Sequence, residues 1–521
     1  MDSNQQDGFR EVHGLGIRVI LPVLASAAAA VVTVYLLNAA NPLAASFAAL
    51  GGIMFAAAVV SPKVGLISLL LLCGYSDFVK RILTFFGDLN FEQLGYVLAG
   101  APLVVAGLYT ALVTRWAYHR IPLHRRDGVL ALAVFVFVAA NIFVGAKQGL
   151  GTLGALKQAI NTAGYAAMMP VGVALMRDRE MMLWFFRLAT FVFLPVALYG
   201  IYQAIFGLAD FEYDYLRSGY TIGAFELSDV RPRPFSTLNT AGSLGDMSAI
   251  LFVMCLHPFI TRRADGLTPG EKGGRVFIAL IYALACILTL VRHSPFILFV
   301  VPFALFFFRT KRRTKIFYSV AVASFVVLVL SSSFLLRKLP EWDPSVHARS
   351  AFTEQLLRIQ TYGDRLVGFS NLIEGTDMYS WFGLKENEKG GRTTFSHDPV
   401  SGALVDYGIV GLFVLSAAVA LALKLAHGRL LKMVPGNDRE TALVFLAMMV
   451  GLLTSHLLFH GVVTVFPANA FFWLLAGCFL KLTSGADEKP RHALVPHQVK
   501  LRAAGRERLR RERQGLPRFS R

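Results

Sequence analysis

Arg231, Arg233, Arg292, Arg365 and His397 are the residues of this chain best suited to chemistry by type and setting. Arg231 and Arg233 flank Pro232 just ahead of an apolar run. Arg292 sits in TLVRHSPFI, a turn between two apolar runs that is too short for its charge to retreat far into water. A guanidinium so placed either snorkels to an interface or holds an anion, and its planar fork suits phosphate. An ionisable residue at a membrane cavity is a functional hypothesis by default. Arg365 falls within 350–373, where Phe352, Leu356, Leu357, Leu366, Phe369 and Ile373 recur at helical spacing. Arg358 shares nearly the same face, and a solvated amphipathic surface helix accounts for both arginines as well. His397 precedes Asp398 and Pro399, a carboxylate N-cap followed by proline at the first helical position. That places it at the mouth of a helix, where a neutral imidazole suits a general base. Asp406 lies about 180° further round the same helix, so it does not orient His397.

Other groupings are weaker. Asp210, Glu212 and Asp214 in DFEYDY offer oxygen ligands for a hard cation, although a solvated acidic loop is the ordinary reading of such a run. His456 and His460 stand four apart, a metal-binding spacing. With no third ligand apparent, interhelical hydrogen bonds explain the pair as well. Cys73, Cys255, Cys286 and Cys478 each sit in an apolar run and read as small buried hydrophobes. The expectation is therefore no metal and no cofactor.

The elements that must position these residues are apolar. The chain has 521 residues, 55% hydrophobic and 16% charged, with mean hydropathy +0.55; soluble domains carry about 25% charge. Intrinsic disorder and a disulfide-rich scaffold are excluded. A soluble nucleic-acid binder would explain the net charge of +18 but not the hydropathy. The expected fold is an all-α polytopic membrane protein. A span needs roughly 20 apolar residues, and about 14 candidates follow on that measure: 17–37, 43–60, 62–76, 93–113, 128–147, 157–176, 183–206, 240–260, 276–291, 294–308, 316–336, 399–424, 441–464 and 468–484. They divide the chain into a cytoplasmic N-terminus (1–16), helices 1–11 (17–336), a large, partly helical external loop (337–398), helices 12–14 (399–484) and a basic cytoplasmic tail (485–521). With both termini inside, 34 of the 51 Lys and Arg fall on the inner side, and the reverse orientation would export RTKRRTK. No cleavable signal peptide or internal repeat is expected.

Four motifs in order resemble those of the bacterial O-antigen ligase and O-antigen (exopolysaccharide) polymerase superfamily. RPRPFSTLNTAGSLGDM (231–247) is similar to its arginine- and asparagine-bearing stretch before a span, and LTLVRHSPFILFVV to its tight Arg/Ser turn. GDRLVGFSNLIEG (363–375), ahead of WFGLKENEKGG, resembles its arginine-bearing loop helix. SHDPVSGALVDYGIVGLF resembles its His-Asn helix start, with Asp398 in place of the Asn. The resemblance spans roughly 231–415 and leaves open whether Arg231 or Arg233 is the counterpart. It implies an inverting, metal-independent glycosyl transfer from polyprenyl diphosphate at the outer face of the bacterial cytoplasmic membrane. His397 would then be the catalytic base, and Arg231, Arg233, Arg292 and Arg365 the diphosphate- or substrate-binding set.

Three functions remain open. A polymerase of surface-polysaccharide repeat units is favoured, because the family's polymerases tend to have more spans. A ligase would move finished glycan to lipid A-core or another acceptor. A flippase for lipid-linked oligosaccharide would be no enzyme, and is disfavoured by the missing repeat and by charges crowded at one edge. Expected partners are the glycan donor, a glycan acceptor, membrane lipids and a chain-length regulator or other assembly protein, but no nucleic acid. The tail run RERLRRERQ (506–514) suits anionic headgroups.

Overall fold

The computed structural model describes residues 42–86, 91–118, 125–147, 151–218, 233–310, 423–459 and 465–484, less Arg177, Arg262 and Arg292, with isolated positions in 410–422. Every regular element among them is helical. In chain order the first are α1 (Pro42–Val60), α2 (Pro62–Phe86), α3 (Phe91–Leu98), α4 (Gly100–Ala117), α5 (Arg125–Lys147) and α6 (Gly151–Thr162). A 3-10 turn at Gly164–Ala167 leads to α7 (Met168–Leu175), then α8 (Arg179–Val192), α9 (Leu194–Phe206) and α10 (Asp210–Arg217). The remainder are α11 (Ala241–Ile260), α12 (Pro269–Leu288), α13 (His293–Arg309), α14 (Asn437–Phe459) and α15 (Ala468–Ser484). Three continuous stretches, Gln93–Ala117, Arg179–Phe206 and Ala241–Ile260, are long and apolar enough to cross a membrane. The described residues therefore form an all-α protein of membrane type.

Side-chain chemistry sets the helix starts. Asp178 caps α8 by accepting from the Met181 N–H at 2.8 Å, and Thr240 caps α11 through Ser243 N–H. Thr268 and Glu271 form a reciprocal capping box ahead of Pro269. The Thr268 N–H and hydroxyl there hold the Glu271 carboxyl below its usual range.

Apolar residues continue round the helices. In α12, Ala279, Tyr282, Ala285 and Cys286 are buried, while Phe277 is 65% and Leu280 60% exposed on other faces. A helix apolar on every face belongs in a core or a bilayer. Close crossings use small residues, as helix packing in lipid requires. Gly172 of α7 meets Gly477 of α15, and a Cβ on Gly107 of α4 would lie 2.6 Å from the Phe55 carbonyl oxygen of α1. One hydrophobic cluster runs from Ala58 to Phe479 and includes all four cysteines, which are free and buried.

Polar groups gather at two ends. At one, Arg179 bonds Asp438 at 3.2 Å, Arg309 pairs with Glu440 and donates to the Ile260 carbonyl at 2.9 Å, and His257 Nε2 meets Thr441 Oγ1 at 3.2 Å. These residues lie in or beside 177–182, 261–275, 309–315 and 424–440, each of which carries Lys or Arg. Arg81 of α2, residues 208–216, residues 235–241 and the turn after α12 meet at the opposite end. Two predicted spans change in form. Helix α2 runs to Phe86 rather than ending at 76, because its terminal charges find partners. The span 157–176 is broken into α6, the 3-10 turn and α7.

Candidate functional site

At that opposite end, the stretch 233–240 links 219–232 to α11 with no helix of its own. Buried side chains from three helices hold it. Glu212 of α10 and Arg81 of α2 are 0% and 1% exposed. Arg81 Nη1 donates to Glu212 Oε1 at 2.9 Å, and Nη2 donates to the Leu238 carbonyl at 2.8 Å. The guanidinium lies over the Phe235 ring, 4.6 Å from its centroid. Gln203 of α9 bridges the rest: Nε2 donates to Glu212 Oε1 at 2.6 Å, and Oε1 accepts from the N–H groups of Phe235 and Ser236 at 3.1 and 2.6 Å. Glu212 Oε2 accepts from the Ala209 N–H at 3.1 Å. The hydroxyls of Ser236 and Thr237 donate to the carbonyls of Val196 and Gly74. Ser236 has φ +56°, a left-handed conformation that a residue with a Cβ adopts only when held there.

A second lock fixes the turn after α12. Leu290 also has φ +56°. Thr289 Oγ1 donates to the Cys286 carbonyl at 2.7 Å and accepts from the Val291 N–H at 3.3 Å. Ser294 Oγ donates to Asp246 Oδ1 of α11 at 2.7 Å, with both residues buried. Gly245 provides the space, since a Cβ there would collide with Ser294. Val291 then joins Phe235, Ala241 and Leu216 in one small apolar cluster. The arginine stretch and the Arg/Ser turn are thereby brought together although they lie far apart in sequence.

Of the sequence candidates, Arg233 opens the described stretch and is half-buried. Arg231, Arg292, Arg365, His397 and His460 lie outside the described residues, as does the side chain of His456. No group of three potential metal ligands occurs among the described residues. The acidic run 210–214 is neither a solvated loop nor a cation site at Glu212. It is a helix, and Glu212 is committed to Arg81 and Gln203.

Sequence reasoning missed Arg81 and Gln203, and gave Glu212 only as a cation ligand or a solvated acid. The available signal was Lys80–Arg81 at the end of an apolar run, but a partner 131 residues away leaves no spacing to read. A cavity of about 620 Å³ opens at the other polar end, lined by Lys63, Arg115, Asp178, Glu180 and Trp184 among others. Its carboxylates already serve as the α8 cap and as a partner of Arg179 and Arg263. No protein-family model, curated protein or solved structure matches this chain.

Proposed function

We propose that the chain is a polytopic protein of the bacterial cytoplasmic membrane, with about 14 spans of the usual length and both termini cytoplasmic. It acts as a glycosyltransferase of the O-antigen polymerase and ligase type, joining polyprenyl-diphosphate-linked repeat units of a surface polysaccharide. The observation that carries this reading is the convergence of the RPFSTLN stretch and the TLVRHS turn on Phe235, Ala241 and Val291. Two arginine-bearing segments with the family's motifs thus share one polar end.

The leaving group of such a transfer is a lipid diphosphate, on which charge grows as the glycosidic bond breaks. Preorganised guanidinium groups on Arg231, Arg233, Arg292 and Arg365 stabilise that charge and clamp the donor beside an acceptor hydroxyl. His397 removes the hydroxyl proton as oxygen attacks the anomeric carbon from the opposite side, which inverts its configuration.

Purified protein supplied with a polyprenyl-diphosphate glycan tests the reading. Transfer in the absence of any other protein is expected. Lipid translocation without transfer would identify a flippase instead. His397→Ala and Arg292→Ala should abolish transfer while leaving membrane insertion intact; wild-type glycan length and amount in both would sink the site. Full activity should survive strong chelation, and a loss restored by a divalent cation would revive a metal mechanism. In a deletion strain, single-unit caps indicate a polymerase, whereas polymer accumulating on its lipid carrier indicates a ligase.

A further inference from the structure

We infer that Gln203 is a positioning residue for a diphosphate-binding stretch at Arg233; the assignment of Arg233 to diphosphate rests on the function proposed above. Gln203 is 2% exposed, and its carboxamide works at both ends. Its Nε2 is fixed by Glu212, which Arg81 and the Ala209 N–H hold in turn. With the amide so oriented, Oε1 faces the stretch and accepts two successive backbone N–H groups, those of Phe235 and Ser236. Those donors begin two residues after Arg233, at the point where Ser236 takes its left-handed conformation.

A carboxamide supplies, without charge, a donor to a carboxylate on one side and an acceptor with two lone pairs to a pair of N–H groups on the other. A carboxylate at 203 would keep the acceptor but face Glu212 with like charge. An apolar side chain of similar size would leave two buried N–H groups without a partner, the costly outcome for a backbone donor. The ion pair thus orients the amide, and the amide sets the backbone that presents Arg233. Gln203 itself acts through the stretch, without touching the anion.

The test uses full-length protein in lipid nanodiscs, with inorganic pyrophosphate as the probe. Two readouts are taken for the wild type, Gln203→Met and, as a reference for lost anion contact, Arg233→Ala. The first is amide hydrogen exchange over 233–240; the second is the dissociation constant for pyrophosphate. Gln203→Met should speed exchange at Phe235 and Ser236 by at least about tenfold, with exchange in α8 and α11 unchanged, because opening is local. It should weaken pyrophosphate binding by about tenfold, the effect of one lost charged-group contact of ordinary strength, whereas Arg233→Ala weakens binding without speeding exchange. Unchanged exchange or unchanged affinity in Gln203→Met overturns the inference, as does faster exchange throughout the helices, which would mark a general scaffold role. A wild type that does not bind pyrophosphate also overturns it. Pyrophosphate binding that follows the expected pattern, without glycosyl transfer by the wild type, would sink the enzymatic reading and leave the role of Gln203 standing.

Discussion

The Arg81–Glu212 pair shows how much a single interaction can decide when both partners are withdrawn from water. Each charge loses several kcal/mol of hydration on burial, and the pair recovers it only through close geometry and satisfied hydrogen bonds. Removing one partner strands the other, so Arg81→Met or Glu212→Leu should each destabilise the folded protein by about 3–5 kcal/mol. The double variant Arg81→Met/Glu212→Leu should recover a good part of that loss, since an apolar pair leaves no orphan charge. Thermal unfolding of the purified variants by tryptophan fluorescence or light scattering checks both, and a double variant as damaged as the sum of the singles would contradict the coupling.

Among elements, the glycines at helix crossings are the sensitive points. A Cβ on Gly477 would clash with the Met169 carbonyl oxygen and press against Gly172, so Gly477→Ala must push α7 and α15 apart. A cost of about 1–3 kcal/mol is expected for such overpacking, seen as a lower midpoint of thermal unfolding. Gly245→Ala has a different consequence, because the neighbour it would displace is Ser294, whose hydroxyl fixes the turn containing Arg292. Transfer activity should fall further in Gly245→Ala than in Gly477→Ala at equal loss of stability. Equal activities at matched stability would separate that turn from the chemistry.

At the scale of the whole molecule, the described stretch α8–α9 and the helices α11, α12 and α13 each run between the two polar ends, so chain direction and sidedness are linked. Single cysteines at Asp214 and at Asp265, in a background with the four native cysteines replaced, should react differently with a membrane-impermeant maleimide in intact cells. Asp214 is expected to label from outside, and Asp265 only after permeabilisation. The apolar runs were readable because membrane-type helices need length and hydropathy, which are local properties; Ala468–Ser484 coincides with its predicted span. Ends marked by charge were misread, because Asp77, Lys80 and Arg81 continue α2 once they are paired and buried. The break at Gly164–Ala167 was also missed, because its residues are as apolar as a helix interior. Within the site, Arg233 and the short turn were visible as motifs. The supporting residues were not, because Gln203 meets Phe235 and Ser236 across more than thirty residues and Arg81 meets Glu212 across 131.

That separation of 131 residues also sets a timetable for biogenesis. At elongation rates of 5–20 residues per second, Arg81 leaves the ribosome about 7 to 26 s before Glu212 does. During that interval the guanidinium at the end of α2 has Asp77 of its own helix nearby but lacks the carboxylate that it bonds in the folded protein. If the chain is inserted as proposed, the end of α2 is expected to seat fully only when α10 arrives. A chain arrested before residue 212 should remain sensitive to protease near Arg81, whereas one arrested well past α11 should be protected there.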